Sequence, residues 1–324
     1  MTPPNINPHT WHKKLWHNRL QSFSLLSGMA GFLALLGYLL WGTLGLYLLV
    51  GLGLSLAIIQ PQISPRLVMR LYGAKPIALD YFPELKILVT RLTNRAELQR
   101  TPQLYYIPSS MLNAFAVGDR NNAVIAVTDG LLRHLDLRHL TGVFAHEMSH
   151  IRNNDLWVMG LADMFSRGTR LLSMMGQLLL LLNLPLLLLN QITINWYAIF
   201  LLIIAPVISA LAQLALSRTR EYEADLGAAW LTGDPEGLAR ALSIIENVQG
   251  GWLERRHMPG RYTSEPSILR SHPETEERVT RLMALKPDVS PIRTHHDLDE
   301  LLFTDEFLHP IKNHPRKRFN GLWY

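Results

Sequence analysis

Two long stretches without a single charge constrain this chain more than any other feature. Arg19 and Arg66 are separated by 46 residues containing no Asp, Glu, Lys or Arg, and Arg170 and Arg218 by 47 more. A helix needs about 20 apolar residues to cross a bilayer, so each block is too long for one span and about right for two. The predicted fold class follows: a mainly α-helical integral membrane protein with four transmembrane helices in two hairpins. The first block is not read as a cleaved signal peptide. Its apolar part, from about Ser24 to Ile59, far exceeds a signal core, and no small-x-small site follows a short one.

The blocks divide the chain into a leader (1–22), a first hairpin (23–60), a soluble part (61–170), a second hairpin (171–216), a second soluble part (217–285) and an extension (286–324). The leader, with Pro3, Pro4 and Pro8, reads as loosely ordered, and His9, His12 and His17 as surface histidines. Lys13, Lys14 and Arg19 precede the first block, and Arg66, Arg70 and Lys75 follow it. Arg167 and Arg170 precede the second; Arg218 and Arg220 follow it. The presumed turns, near Gly42-Thr43 and Asn190–Asn195, carry neither Lys nor Arg. The positive-inside rule then puts both termini and all charged segments on the cytoplasmic side. A net charge of +5 and a pI near 9.5 are accounted for by these flanks. The lipid bilayer, not nucleic acid, is the expected partner. Glycines 28, 31, 37, 42, 45, 51 and 53 would let the first two helices pack closely, and Pro185 and Pro206 would kink the second pair. Gln177 and Asn183 are expected to hydrogen-bond between helices.

The soluble parts read as α+β. Pro83–Leu98 has helical spacing, Gln103–Ile107 reads as a strand, and Asn113–Val117 with Ala123–Thr128 as an antiparallel hairpin. A helix capped by Thr141 then carries His146-Glu147-Met148-Ser149-His150, and no strong breaker follows before Gly160 or Gly168. Helices follow around Thr219–Leu231, Pro235–Val248 and Pro273–Leu285, with a mobile-looking stretch at Arg255–Pro266. The pentapeptide has the H-E-x-x-H form. Residues four apart share a helix face, so two imidazoles can hold one metal while the glutamate reaches its water. Chance alone gives roughly 0.02 such matches in a chain of this composition. The sequence contains no cysteine, so any metal must be held by His, Asp or Glu. A catalytic site of this kind needs a third protein ligand. The second hairpin returns the chain to the same membrane surface at Ser217–Asp225, where Glu221 and Glu223 are both candidates.

Further motifs stand in order: Asn113-Ala114-Phe115-Ala116, Thr128-Asp129-Gly130-Leu131, His150-Ile151-x-Asn153-x-Asp155, Arg220-Glu221-Tyr222-x-Ala224-Asp225, and His272-Pro273 with Arg278. Together, over about Leu104 to Leu285, they resemble the HtpX-type membrane metalloproteases and the related CAAX prenyl proteases. The resemblance implies a zincin-like cytoplasmic domain with a small antiparallel sheet and one Zn2+ held by His146, His150 and Glu221. It makes Glu147 the general base and His272 a candidate for oxyanion stabilisation. Asp225, one turn after Glu221, would orient a ligand histidine, with Asn153 and Arg278 nearby, and Asn113, Ala114, Phe115 and Ala116 would form an edge strand beside the substrate.

The implied function is a zinc endopeptidase of the bacterial inner membrane, cleaving misfolded or damaged membrane proteins at the cytoplasmic face. The oligomeric state is open, a homo-oligomer included. A prenyl-peptide protease and a non-catalytic zinc-binding scaffold are the alternatives. Four spans are fewer than the prenyl proteases carry, and an intact base argues against a scaffold.

Overall fold

A computed structural model describes residues 6–59, 64–189, 195–256 and 275–286. The first helix, α1 (Pro8–Ile59), folds back on itself at Gly42, whose φ of 66° and ψ of −147° are open to glycine and strained for other residues. Gly37 and Gly45 face each other across this bend, where a Cβ on Gly45 would lie 2.2 Å from the Gly37 carbonyl oxygen. The hairpin is thus closed by missing side chains. One expectation is corrected here. The leader is helical from Pro8, continuous with the apolar helix, and Ile6 is buried in the core of the soluble domain.

After α1 come α2 (Pro65–Leu71), the two-residue strand β1 (Lys75–Pro76), α3 (Pro83–Arg95), β2 (Gln103–Ile107), β3 (Ala114–Val117) and β4 (Val124–Thr128). The sheet order is β1-β2-β4-β3. β3 and β4 pair antiparallel, but β2 and β4 run parallel. The expected antiparallel sheet is therefore mixed. The reason is visible in β4, Val-Ile-Ala-Val-Thr, which is buried at every position: a strand apolar on both faces belongs at the centre. It has inserted between β2 and β3.

Thr128 caps α4 (Asp129–His134), and Asp136 caps α5 (Leu137–Asn153), its side chain accepting from the His139 N–H at 2.8 Å. Thr141, the expected cap, lies inside α5, where its hydroxyl donates to the Leu137 carbonyl. The helix does not run on unbroken. Asn154 adopts the left-handed conformation (φ 55°) and restarts the chain as α6 (Asp155–Leu182). The sequence signal for this break, the pair Asn153-Asn154, is weak because Asn also occurs within helices.

A short α7 (Leu184–Leu188) follows, starting one residue before Pro185. α8 (Trp196–Thr232) is one continuous helix, so the separate helix expected at Thr219–Leu231 is the extension of the apolar one. Pro206 does not break it. Its missing N–H would leave the Leu202 carbonyl unpaired, and the Ser173 hydroxyl of α6 donates to that oxygen at 2.5 Å. Gln177 donates to Ser173, and Asn183 to the Leu179 carbonyl. Both bonds lie within α6 and its cap, not between helices as expected. Among the described residues, two helices are long and apolar enough to cross a membrane, Pro8–Ser55 and Trp196–Thr232, and only 22% of each apolar window is buried. A core helix of a soluble protein would be covered. These surfaces display Leu44, Leu48, Phe200 and Ile203 outward, as lipid-facing helices do.

α9 (Pro235–Arg256) and α10 (Thr275–Met283) complete the described chain. Arg281 of α10 lies over the Tyr222 ring of α8 at 3.8 Å. The main core gathers α3, the inner sheet face, α5, the end of α8 and α9 around Phe144, Leu140, Met148 and Leu231. α5 crosses α8 beneath the sheet.

Candidate metal centre

α5 presents His146 and His150 on one face, and α8 crosses that face within contact distance. The crossing is tight because of Gly227, where a Cβ would lie 1.9 Å from the Ser149 hydroxyl. This approach brings Glu221, almost two turns earlier on α8, opposite the histidines. His146 Nε2 and His150 Nε2 are 3.2 Å apart, and Glu221 Oε2 and Oε1 lie 3.5 Å and 3.8 Å from them respectively. Donors arranged tetrahedrally at about 2.0–2.2 Å from an ion are about 3.3–3.6 Å from one another. Two imidazoles and a carboxylate converging at these distances fit a divalent metal by both spacing and chemistry. Glu223, the competing carboxylate, is buried on another face of α8, against Arg220 and Arg19.

Each histidine has a carboxylate behind it. His146 Nδ1 lies 3.0 Å from Asp225 Oδ1, without a well-directed hydrogen bond. Arg278 of α10 grips that carboxylate with two bonds, Nε to Oδ2 at 2.8 Å and Nη2 to Oδ1 at 2.7 Å, and its Nη1 is 3.3 Å from Glu221. His150 Nδ1 lies 2.6 Å from Asp155 Oδ2. Arg220 Nε donates to Asp155 Oδ1 at 2.7 Å, and Arg220 also grips it through Nη2. Its Nη1 reaches Glu223 at 2.5 Å. Asp155 sits beside His150 only because the left-handed Asn154 turns the chain at the start of α6. The motif containing it is visible in the sequence, but the resemblance places Asn153, not Asp155, near the site. Asn153 instead donates to Ser149, at 3.4 Å, and touches no candidate ligand.

Glu147 is buried, and burial is the largest influence on its carboxyl, raising its pKa. The neighbouring His146 and His150 oppose the shift but do not cancel it. Burial also pushes Asp225 up, yet Arg278 more than offsets this and holds it below the ordinary carboxylate range. The Ala116 backbone hydrogen-bonds Glu147, which ties the last strand of the sheet to the active helix. β3 ends the strand order, so its outer edge pairs with no other strand among the described residues. Ala114 and Ala116 face the main core. Phe115 points to the opposite face, 5.1 Å from the Tyr72 ring. Asn113 is pinned by Thr128, donating its N–H to Oγ1 at 2.9 Å. His272 lies outside the described residues, as do residues 257–271 of the stretch before it and the extension from 287.

What the α5–α8 crossing assembles, with an unpaired strand edge above it, is the working half of a metallopeptidase. Residues 81–286 match peptidase family M48. Similar proteins include three called "Protease HtpX homolog". That of Campylobacter concisus is 34% identical over 83% of this chain and 96% of its own length. That of Salinibacter ruber is 33% identical over 82% and 97%. That of Desulfatibacillum aliphaticivorans is 31% identical over 83% and 90%. Among solved structures, the crystal structure of S. mikatae Ste24p aligns with 86% of this chain and 67% of that one, at 19% identity and a TM-score of 0.39. The chain belongs to peptidase family M48, and it is a membrane metalloprotease of the HtpX type.

Proposed function

We propose that this chain is a zinc endopeptidase whose site lies just above the cytoplasmic surface of a bacterial inner membrane. The observation that carries the reading is the convergence of His146, His150 and Glu221 next to the buried Glu147. His146, His150 and Glu221 would hold the ion. Bound there, zinc would supply Lewis acidity, lowering the pKa of a water to about 7 and polarising the scissile carbonyl. Glu147 takes the proton of the attacking water and returns it to the leaving amine. Asp225 and Asp155 orient the two rings, and Arg278 and Arg220 hold those carboxylates. The free edge of β3 takes the substrate backbone as an added strand, a mode that demands little of the substrate side chains. His272 is the proposed second donor to the oxyanion.

Four spans, from the two limbs of α1 and from α6 with α8, would place this cleft within reach of loops and unfolded ends at the bilayer. That geometry favours misfolded or damaged membrane proteins as substrates. One experiment tests the reading: metal analysis and cleavage of an unfolded membrane protein by the full chain, wild type beside Glu147→Gln and Glu221→Gln. Glu147→Gln is expected to keep one zinc and lose about 10²–10⁴-fold in rate, and Glu221→Gln to lose the zinc. Undiminished cleavage by Glu147→Gln would refute the mechanism.

A further inference from the structure

The helix α1 starts well before its apolar part, and that first stretch is bound inward. The Asn7 N–H donates to the Leu285 carbonyl at 3.0 Å. Trp11 Nε1 donates to the carbonyl of Leu226, the residue after Asp225, at 3.1 Å. Lys14 Nζ donates to the Arg281 carbonyl, one turn beyond Arg278, at 3.1 Å. Arg19 Nε donates to Glu223 Oε1 at 3.3 Å. Two of these bonds fall on α8, and two on α10 or the turn that ends it. Asn18 is 1% exposed in the same seam, beside Asp225 and Leu282. His12, Lys13 and His17 turn outward and the Arg19 side chain is 60% exposed, but Trp11, Lys14 and Asn18 give the segment an inward face that a basic flank at lipid head groups would not need.

The last of these contacts opens onto a continuous series of charges. Glu223 is 3% exposed and divides its two oxygens between Arg19 and Arg220. Arg220 in turn grips Asp155, and Asp155 faces His150. We propose that residues Ile6–Arg19 are a positioning element of the metal centre. Arg19 fixes the Glu223 carboxylate, Glu223 fixes the fork of Arg220, and Arg220 fixes Asp155 behind the His150 ring. The physical reason is rotamer freedom. Glu and Arg side chains each have several rotatable bonds, and a partner on only one side leaves them alternative geometries. With Arg19 in place, each carboxylate in the series is held from both ends. The helix that enters the membrane is then also a wall of the site, and its effect is on metal retention. This inference rests on the reading of His146, His150 and Glu221 as the metal centre.

The test is the rate of zinc release from the full-length, zinc-loaded protein into excess chelator. It is run for wild type, Arg19→Gln, Arg19→Lys, Glu223→Gln and the double variant Arg19→Gln/Glu223→Gln. Loss of a direct partner behind a ligand histidine costs about 10–100-fold in metal affinity, so the more distant Arg19→Gln should speed release about 3–10-fold. Arg19→Lys should restore most of the wild-type rate. The double variant should match Glu223→Gln alone, because Arg19 acts only through that carboxylate. Cleavage lost from Arg19→Gln under chelation should return when zinc is added back. Release from Arg19→Gln at the wild-type rate, or additive effects in the double variant, would overturn the inference while leaving the metal centre intact. A wild type that retains no zinc would overturn the metal centre itself.

Discussion

The two histidines of the pentapeptide are chemically alike, but they are held by different parts of the molecule. His146 is backed by Asp225 of α8, which Arg278 of α10 grips with two bonds. His150 is backed by Asp155, at the start of the α6 that runs into the second apolar hairpin, and Arg220 bridges Asp155 to Glu223 and so to Arg19 of α1. One histidine is backed from α8 and α10, the other from the start of α6, with α8 and the first turns of α1 behind it. The candidate third ligand, Glu221, lies on α8, which contributes to both arms. The geometry of the site therefore depends on how the apolar helices are packed.

The largest effect expected to separate the two arms is on stability. Asp225→Asn removes the carboxylate that grips Arg278, 8% exposed, with two bonds, leaving it Glu221 at 3.3 Å and the nearby charge of Glu147. Breaking a buried ion pair costs about 3–5 kcal/mol. Asp155→Asn leaves Arg220 still paired with Glu223, so a loss of about 1.5–3 kcal/mol is expected, the size of one charged hydrogen bond. Both should weaken zinc binding about 10–100-fold. Denaturant unfolding and metal titration would measure the two effects, and equal stability losses would remove the distinction between the arms.

A smaller effect is expected at the Asn154 turn, which bears only on the His150 arm. Asn154→Gly should be nearly neutral, whereas Asn154→Val meets the left-handed penalty of about 1–2 kcal/mol. It should also displace Asp155 and weaken zinc binding. Thermal unfolding of the two variants provides the check.

The smallest effect concerns the His146 arm. Glu236 of α9 accepts hydrogen bonds from Lys286, just past α10, and from Arg240, and its pKa is pushed down to about 2. A carboxylate with a lowered folded pKa stabilises fully above its ordinary value of 4.5, and that contribution disappears as pH falls toward 2. The Tm difference between wild type and Glu236→Gln should therefore shrink across this window. A difference independent of pH would show that the contact does not fasten α10.

Much of this was legible locally. Charge-free blocks report lipid exposure residue by residue, and H-E-x-x-H needs only helical spacing to juxtapose two imidazoles. The strand stretches were recognisable from β-branched and aromatic content. The parallel pairing of β2 with β4 was not, because it depends on which strand is covered on both faces. Asp155 was in a quoted motif, yet its role turned on one left-handed residue. Glu221 and Glu223 differ by two positions; the resemblance already favoured Glu221, and the crossing of α8 over α5 brings it to the histidines while Glu223 meets Arg220. Arg19 read as a membrane flank because its partner is 204 residues away in sequence.

Sequence by itself determined the membrane character and the pair of histidines with the glutamate between them, since these follow from composition and from contacts within one turn of helix; the family was legible in the ordered motifs from Asn113 to Arg278. Only the tertiary structure decided that Asp155 stands behind His150 as Asp225 stands behind His146, and that the first turns of α1 pack against α8 and α10. Such contacts join residues far apart along the chain. They exist only when Gly227 lets α8 meet α5 closely and Asn154 turns α6 away.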